Sequence, residues 1–258
     1  MPSINLNADL GEGYGPWQMG DDAAMLAIVA SANIACGGHA GDPDVMRRTL
    51  HLAQQRGVSI GAHPSYPDLQ GFGRRAMALA AGELENQIAA QVGALAGIAA
   101  LEAARVTHVK PHGALNNLAC VDRDVADTIC RAIRAIDREL ILLAPAASQL
   151  VLAGHGAGLA VIEEIFADRA YLPDGQLVPR SRPDAMIHGA AACLAHVLAM
   201  LDAGALIAVD GTRIPTPIGS ICVHGDSPDA VDVARHLREG LALAGYEIAA
   251  LPKLIDGK

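Results

Sequence analysis

Aromatic residues are nearly missing from this chain. With two Phe and one Trp in 258 residues, the interior must be packed by Ala, Leu, Ile and Val, side chains that suit closely spaced helices and strands. Basic clusters are missing as well. Nineteen Lys and Arg lie scattered against 28 Asp and Glu, a formal net charge of −9, which argues against a nucleic-acid footprint or a polybasic membrane patch. No stretch approaches the ~18 uninterrupted apolar residues of a membrane-spanning helix. Met1-Pro2-Ser3-Ile4-Asn5 carries neither the basic stretch nor the apolar run of a signal peptide. The five cysteines stand far apart without a Cys-x-x-Cys, a pattern that reads as reduced thiols in a cytoplasmic protein. There is no Gly-x-x-x-x-Gly-Lys-Ser/Thr and no Gly-x-Ser-x-Gly, so the chain has neither a P-loop for ATP nor a nucleophile elbow. Internal repeats, low-complexity tracts and composition shifts are also absent, and residues 1–258 are expected to form one domain.

What is present is a regular alternation. The chain is 52% hydrophobic and 18% charged, enough to bury a core. Strand-like runs at residues 4–9, 31–36, 58–62, 106–110, 140–144, 159–165, 205–209 and 219–223 are separated by segments of helical period. The clearest of these is 83–104, where Leu84, Ile88, Val92, Leu95 and Ile98 recur every three or four residues. Asp42-Pro43 and Ser227-Pro228 each set a capping oxygen before a Pro at a first helical position. Residues 210–217, with Gly and two Pro, predict a tight turn or hairpin before the last strand. Strand–helix alternation predicts a mostly parallel sheet, open or closed into an α/β barrel, and the length suits a barrel.

Sequence parity sorts each strand into two faces. Asn5, Asn7 and Asp9 oppose Ile4, Leu6 and Ala8; Ser59, Gly61 and His63 oppose Val58, Ile60 and Ala62; His108, Lys110 and His112 oppose Thr107 and Val109; Ser220, Cys222 and His224 oppose Ile221 and Val223. The apolar faces are expected to meet outer helices and the polar faces a shared interior. Asp9, His39, His63, Lys110, His112, His224 and Asp226 fall at or just past strand C-terminal ends, where α/β enzymes build their sites. A single buried His is ordinarily just hydrogen-bonded inside a core. Asp9, Lys110 and several histidines buried together without a task would be costly, so the set points to a reaction site. Gly37-Gly38-His39, His63-Pro64, Pro111-His112-Gly113 and His224-Gly225-Asp226 add tightly turning exits that hold those side chains rigidly.

Other features carry less. His51, His196 and His236 fall in helical segments and read as solvated faces. Arg169 is either an anion grip or the structural partner of Asp168. Gly154-His155-Gly156-Ala157-Gly158 precedes a strand, so it reads as a turn and not as a phosphate loop.

The stretches Asn7-Ala8-Asp9-Leu10-Gly11-Glu12, residues 33–42 through Cys36-Gly37-Gly38-His39, Gly61-Ala62-His63-Pro64-Ser65-Tyr66-Pro67-Asp68, Gly71-Phe72-Gly73-Arg74-Arg75, residues 109–115, Phe166-Ala167-Asp168-Arg169-Ala170-Tyr171 and Cys222-Val223-His224-Gly225-Asp226 resemble the LamB/YcsF family of 5-oxoprolinase components. They run from the first strand to the last. Asn116 departs from the pattern where an aromatic Tyr is expected. The resemblance implies an irregular, TIM-like (β/α) barrel similar to polysaccharide deacetylases. It also implies ATP-dependent hydrolytic opening of 5-oxo-L-proline to L-glutamate together with partner subunits B and C, with ATP bound mainly by the partners. On that reading Asp9 or His63 is the general base, Lys110 stabilises developing negative charge, and His112 and His39 orient or protonate the leaving group. Asn7, Asn33, His39, Arg169, His224 and Asp226 are the substrate-binding candidates, with Arg169 on the substrate carboxylate. Replacing Lys110 by Met or Asp9 by Asn is expected to abolish turnover and spare folding.

Two rivals stay open at this stage. One is a metal-dependent, deacetylase-like amidohydrolase in which Asp9, His39 and His63 hold a divalent ion. The other is a non-catalytic protein that binds an acidic small molecule.

Overall fold

In the computed structural model, which describes residues 1–225 and 229–256, the alternation resolves into a regular series. The order is β1 (Ser3–Leu10), α1 (Asp22–Leu26), β2 (Ser31–Ala35), α2 (Pro43–Gln55), β3 (Ser59–His63), α3 (Ala81–Leu101), β4 (Val106–Val109), α4 (Gly113–Val121), α5 (Arg123–Ile136), β5 (Ile141–Pro145), α6 (Gln149–Gly156), β6 (Val161–Phe166), α7 (Ala190–Ala203), β7 (Ala205–Ile207), β8 (Arg213–Pro215), β9 (Ser220–Val223), α8 (Ala230–Leu243), β10 (Glu247–Ile248) and α9 (Leu251–Asp256). Strands β1, β2, β3, β4, β5, β6 and β9 are parallel neighbours in that order, and β9 pairs back onto β1. The result is a closed seven-stranded barrel. Its outward residues, among them Ile4, Leu6, Ala8, Ile34 and Ile221, join the helices in the main core. No helix among the described residues is long and apolar enough to cross a membrane. All five cysteines are buried and unbridged.

The stretch at 205–209 corrects the expectation of an eighth sheet strand. Only Ala205–Ile207 is extended, and it pairs antiparallel with Arg213–Pro215 in a separate two-stranded ribbon. A turn through Gly211, at φ +86°, folds the segment back on itself. That local hairpin uses the edge a barrel neighbour would have needed, and β9 takes the place beside β6. The glycine-rich stretch at 154–158 is likewise mostly helix. Ser148 Oγ caps α6 by accepting from the Val151 amide, and Gly154 lies where a Cβ would come within 2.6 Å of Leu142 and 2.7 Å of Val161. Its glycine serves helix-on-sheet packing, and the turn begins only after Gly156.

Asp42 caps α2 as expected, accepting from the amides of Asp44 and Val45 with Pro43 in the first turn. The cap expected at Ser227-Pro228 lies outside the described residues.

Two features close and narrow the barrel. At its N-terminal end Leu251 packs with Ile141, Leu143 and Ile162, and this end segment is tied down by Asn5 Nδ2 on the Ala249 carbonyl (2.8 Å) and by the Leu251 amide on Ser31 Oγ (3.2 Å). Higher up, Gly61 lies in register with His108, and a Cβ on Gly61 would stand 2.2 Å from the imidazole. Gly61→Ala is therefore expected to cost about 1–3 kcal/mol through overpacking. Urea denaturation would test this, and a stability equal to the parent would refute the close fit.

Candidate active site

The inward residues of β1 form a ladder whose rungs are hydrogen bonds. Asn5 donates to Ser31 Oγ at 2.7 Å and accepts from Ser220 Oγ at 2.7 Å. Asn7 donates to Ser220 Oγ at 2.8 Å, and Asn33 donates to Asn7 Oδ1 at 2.7 Å and Asp9 Oδ1 at 2.8 Å. His108 donates from Nε2 to Asn33 Oδ1 at 3.1 Å, and burial depresses its pKa to about 3, with the Lys110 charge adding to the effect. His108 is therefore a neutral structural imidazole. The ladder satisfies polar groups that would otherwise be costly in the interior, and it delivers the Asp9 carboxylate to the upper end of the barrel.

Lys110 stands there, 2% exposed. Its ammonium meets Asp9 Oδ1 at 3.0 Å, Glu164 Oε2 at 3.2 Å and Cys222 Sγ at 3.0 Å. Burial opposes its charge, but Asp9, with Cys222 and Glu164, holds the pKa well above the ordinary lysine value. Burial also pushes the Asp9 carboxyl up, and His63 and Lys110 together outweigh it and hold that carboxyl well below the usual range. A carboxylate held so low is a poor proton acceptor, which counts against Asp9 as the general base. Burial raises Glu164, with Lys110 opposing, and raises the Cys222 thiol well above its ordinary value.

Glu164 is one of the participants that sequence reasoning missed. It belongs to the inward parity of β6 with Phe166, but its neighbour Glu163 hid the alternation. Glu163 faces Thr216 and the Ala147 amide instead.

Beside Asp9 lies a nest of imidazoles. His63 Nδ1 donates to the Lys110 carbonyl at 2.7 Å, and its Nε2 lies 3.3 Å from Asp9 Oδ2 and 3.0 Å from His112 Nδ1. His112 Nε2 donates to the Phe72 carbonyl at 2.9 Å. His39 stacks on His112 with centroids 3.6 Å apart, and the Phe72 ring meets both edge-on. Burial lowers His39 and His112 well below the ordinary imidazole value; His63 adds to the effect on His39, and His39 followed by His63 adds to it on His112. Glu12, just past β1, completes the group at 3.2 Å from His39 Nε2 and 3.7 Å from His112 Nδ1.

Glu12, His39, His63 and His112 together could hold a metal ion, their donor atoms lying within 4.8 Å of one another. Of the expected set of Asp9, His39 and His63, the two imidazoles fall in this group, and Asp9 forms a second such group with Cys222 and His224 while its Oδ2 lies 3.3 Å from His63 Nε2.

On the opposite wall Asp168 pairs with His224 through two contacts of 2.8 Å, so Arg169 is not Asp168's structural partner. Arg169 donates to the Val178 carbonyl at 2.8 Å, and its buried Nε has no hydrogen-bond partner among the described residues. Burial lowers its pKa, and the Arg180 charge lowers it further. His196, expected on a solvated face, instead holds the Arg169 carbonyl at 3.0 Å and stacks near Tyr171. Its inward turn follows from the loop at residues 167–189, which the helical period alone does not place.

The Asp168–His224 pair gives a pH signature. Burial lowers His224, but Asp168 outweighs it and raises the imidazole pKa; burial raises Asp168, and His224 outweighs it and lowers that carboxyl. The stabilisation is present below the unfolded imidazole value and is lost as pH rises through the raised folded value. On the acid side it is lost as pH falls through the lowered Asp168 value. Asp168→Asn is expected to cost about 1.5–3 kcal/mol in slightly acidic solution, and the gap from the parent should narrow above neutrality. Stability curves measured across that range would show it, and a gap independent of pH would refute the pair.

Asp9, Glu12, His63, Lys110, His112, Arg169 and His224 line one cavity of about 570 Å³ at the C-terminal end of the barrel, together with Arg74, Asn116, Phe166 and Arg180. Asn7, Asn33 and His39 are buried and stand behind this wall, so the first two act through the ladder and His39 through its neighbours. Asp226 lies outside the described residues. Asn116, the departure from the family pattern, lines the cavity with an unpartnered buried Oδ1.

A parallel α/β barrel with carboxylates, imidazoles and a fixed ammonium converging at its C-terminal end has the architecture of an enzyme site. Residues 4–256 match the LamB/YcsF family, and the chain belongs to that family. It is 58% identical over 254 residues to the 5-oxoprolinase A subunit of Azoarcus sp. (strain BH72), covering 98% of this chain and 99% of that one. It superposes on the lactam utilization protein from Thermus thermophilus with a TM-score of 0.90 at 41% identity, over 96% of this chain and 100% of that one. The catalytic domain of peptidoglycan N-acetylglucosamine deacetylase from Eubacterium rectale shares the fold alone, at a TM-score of 0.51 and 12% identity over 96% of this chain and 87% of that one.

Proposed function

We propose that the chain is the lactam-opening component of a 5-oxoprolinase. In this reading it hydrolyses 5-oxo-L-proline to L-glutamate with partner subunits B and C, which bind the ATP. The observation that carries the reading is one cavity holding a permanently charged lysine, an imidazole pair and an unpartnered guanidinium nitrogen. The near-full-length likeness to a 5-oxoprolinase component supports it.

A lactam resists attack because its nitrogen donates into the carbonyl. Phosphorylation of the lactam oxygen by the partners would remove that resistance, leaving this chain to direct water at the activated carbon. Lys110 has the charge to stabilise oxygen or phosphate there. Of its three contacts the Cys222 sulfur is the weak acceptor, so that N–H is the one free to turn to the substrate. The His63–His112 edge, and not Asp9, is the basic face that orients the water. Arg169 would take the substrate carboxylate, and Asn116 the lactam N–H, each with a small turn of a side chain whose Nε or Oδ1 now lacks a partner among the described residues. His224 and Asp168 hold the far wall.

The test is glutamate release from 5-oxoproline by the purified chain alone and then with its partners, with and without ATP. Release that needs both partners and ATP supports the reading. Release by the chain alone without ATP, or none under any condition, refutes it. In the assembled enzyme, Arg169→Met is expected to raise KM for 5-oxoproline by about 10–100-fold, the value of one charged hydrogen bond, with kcat changed less. An unchanged KM would remove Arg169 from the binding set.

A further inference from the structure

Helix α3 packs Leu84, Ile88, Val92, Leu95 and Ala99 into the core, and one polar side chain goes in with them, Gln91. It is 6% exposed. A buried amide needs partners at both of its ends, and Gln91 finds them on one residue of the β3 exit. The Ser65 N–H donates to Gln91 Oε1 at 2.9 Å, and Gln91 Nε2 donates to the Ser65 carbonyl at 2.7 Å. The side chain thus pairs with buried backbone as a neighbouring strand would.

What this pairing reaches is the imidazole edge. The Pro64–Ser65 peptide is planar and trans, so its N–H and its carbonyl point in opposite directions. Gln91 holds the N–H, and on the other side the Pro64 carbonyl accepts the His112 amide at 2.9 Å. His63 is the residue before Pro64. One peptide group therefore joins the two backbones whose imidazoles meet at 3.0 Å, and Gln91 sets its tilt. Two further contacts lead to the same place. A Cβ on Gly38 would come within 2.3 Å of Gln91 Oε1, so the amide also lies against the loop that carries His39. A Cβ on Gly73 would stand 2.6 Å from Ser65 Oγ and 2.9 Å from both His112 and His39, which leaves no slack between Ser65 and those rings.

We propose that Gln91 is a positioning residue for the His63–His112 edge, acting from the helix layer without touching substrate. The inference rests on the proposed function, in which that edge orients the water. In the assembled enzyme Gln91→Leu is expected to lower kcat by about 10–100-fold, the cost of displacing a reacting group by about 1 Å, with KM for 5-oxoproline unchanged. Gln91→Glu separates positioning from packing. Burial raises a carboxyl pKa. Protonated, the new side chain accepts from the Ser65 N–H and donates to the Ser65 carbonyl, as the amide does. Ionised, it has no proton to give and turns negative charge on that carbonyl. The Cys36 thiol, 4.0 Å from Gln91 Oε1, is pushed up to about 12 by burial and stays neutral meanwhile. Activity relative to the parent should therefore be kept in acid solution and fall to the Gln91→Leu level as pH rises.

Proton NMR of the full chain reads the edge without substrate, ATP or partners. His63 Nδ1 and His112 Nε2 each donate to a carbonyl, at 2.7 and 2.9 Å, so the parent should show two protected imidazole N–H signals. Both are expected to shift and broaden in Gln91→Leu, and in Gln91→Glu only as pH rises. If the parent releases no glutamate, the proposed function fails and these signals still decide the inference. A folded Gln91→Leu chain with the parental kcat or the parental N–H signals overturns it, even where its stability is lower. Should that variant not fold, Gln91→Glu decides: activity and N–H signals that follow the parent at every pH overturn the proposal.

Discussion

Lys110→Met is expected to destabilise the protein by about 3–5 kcal/mol, because it leaves buried carboxylates without their counter-charge. Met matches the lysine stem in shape but supplies none of the three contacts made by the ammonium, to Asp9, Glu164 and Cys222. Glu164 is fully buried and its Oε1 has no partner, so water cannot replace the lost charge at low cost. The sequence-based expectation that this substitution spares folding is therefore revised: the site and the fold share one ion cluster. Urea denaturation of the variant measures the loss, and Glu164→Gln added to Lys110→Met should recover part of it. A single variant as stable as the parent would show that the cluster is already protonated and neutral.

His63→Gln is expected to produce the largest loss of activity. It removes the nitrogen that faces both His112 and Asp9, and loss of a positioned acid–base group of this kind costs about 10²–10⁴-fold in kcat. KM for 5-oxoproline should change little, because the proposed carboxylate contact is Arg169 on the other wall. Turnover of the assembled enzyme, with circular dichroism to establish folding, tests the expectation. Activity within a few-fold of the parent would take His63 out of the reaction.

The two variants probe different kinds of constraint. Lys110 is held from below by the polar ladder that begins at Asn5, so its loss spreads into the barrel. His63 touches the Lys110 carbonyl, Asp9 and His112 at the upper rim, and its loss should stay local. Both are nearly inaccessible, but only the Lys110 ammonium bridges the two carboxylates Asp9 and Glu164.

Much of this was legible before any coordinates. The alternation of Asn5, Asn7 and Asp9 with Ile4, Leu6 and Ala8 determined which face of β1 would be polar, because strand side chains alternate whatever their neighbours. The same rule placed His63, Lys110, Cys222 and His224 on one interior, and Asp42-Pro43 announced a helix start through local capping chemistry alone. Properties with a short range along the chain can be read along the chain. Tertiary structure decided what depends on distance between strands. It put Ala205–Ile207 in a ribbon and not in the barrel, drew Glu164 and Glu12 into the site, turned His196 inward to Arg169, and set Glu12 and His112 beside His39 and His63. None of these follows from periodicity, since hydrogen bonds and ion pairs act over about 3 Å and strand parity says only which way a side chain points, not what it meets there.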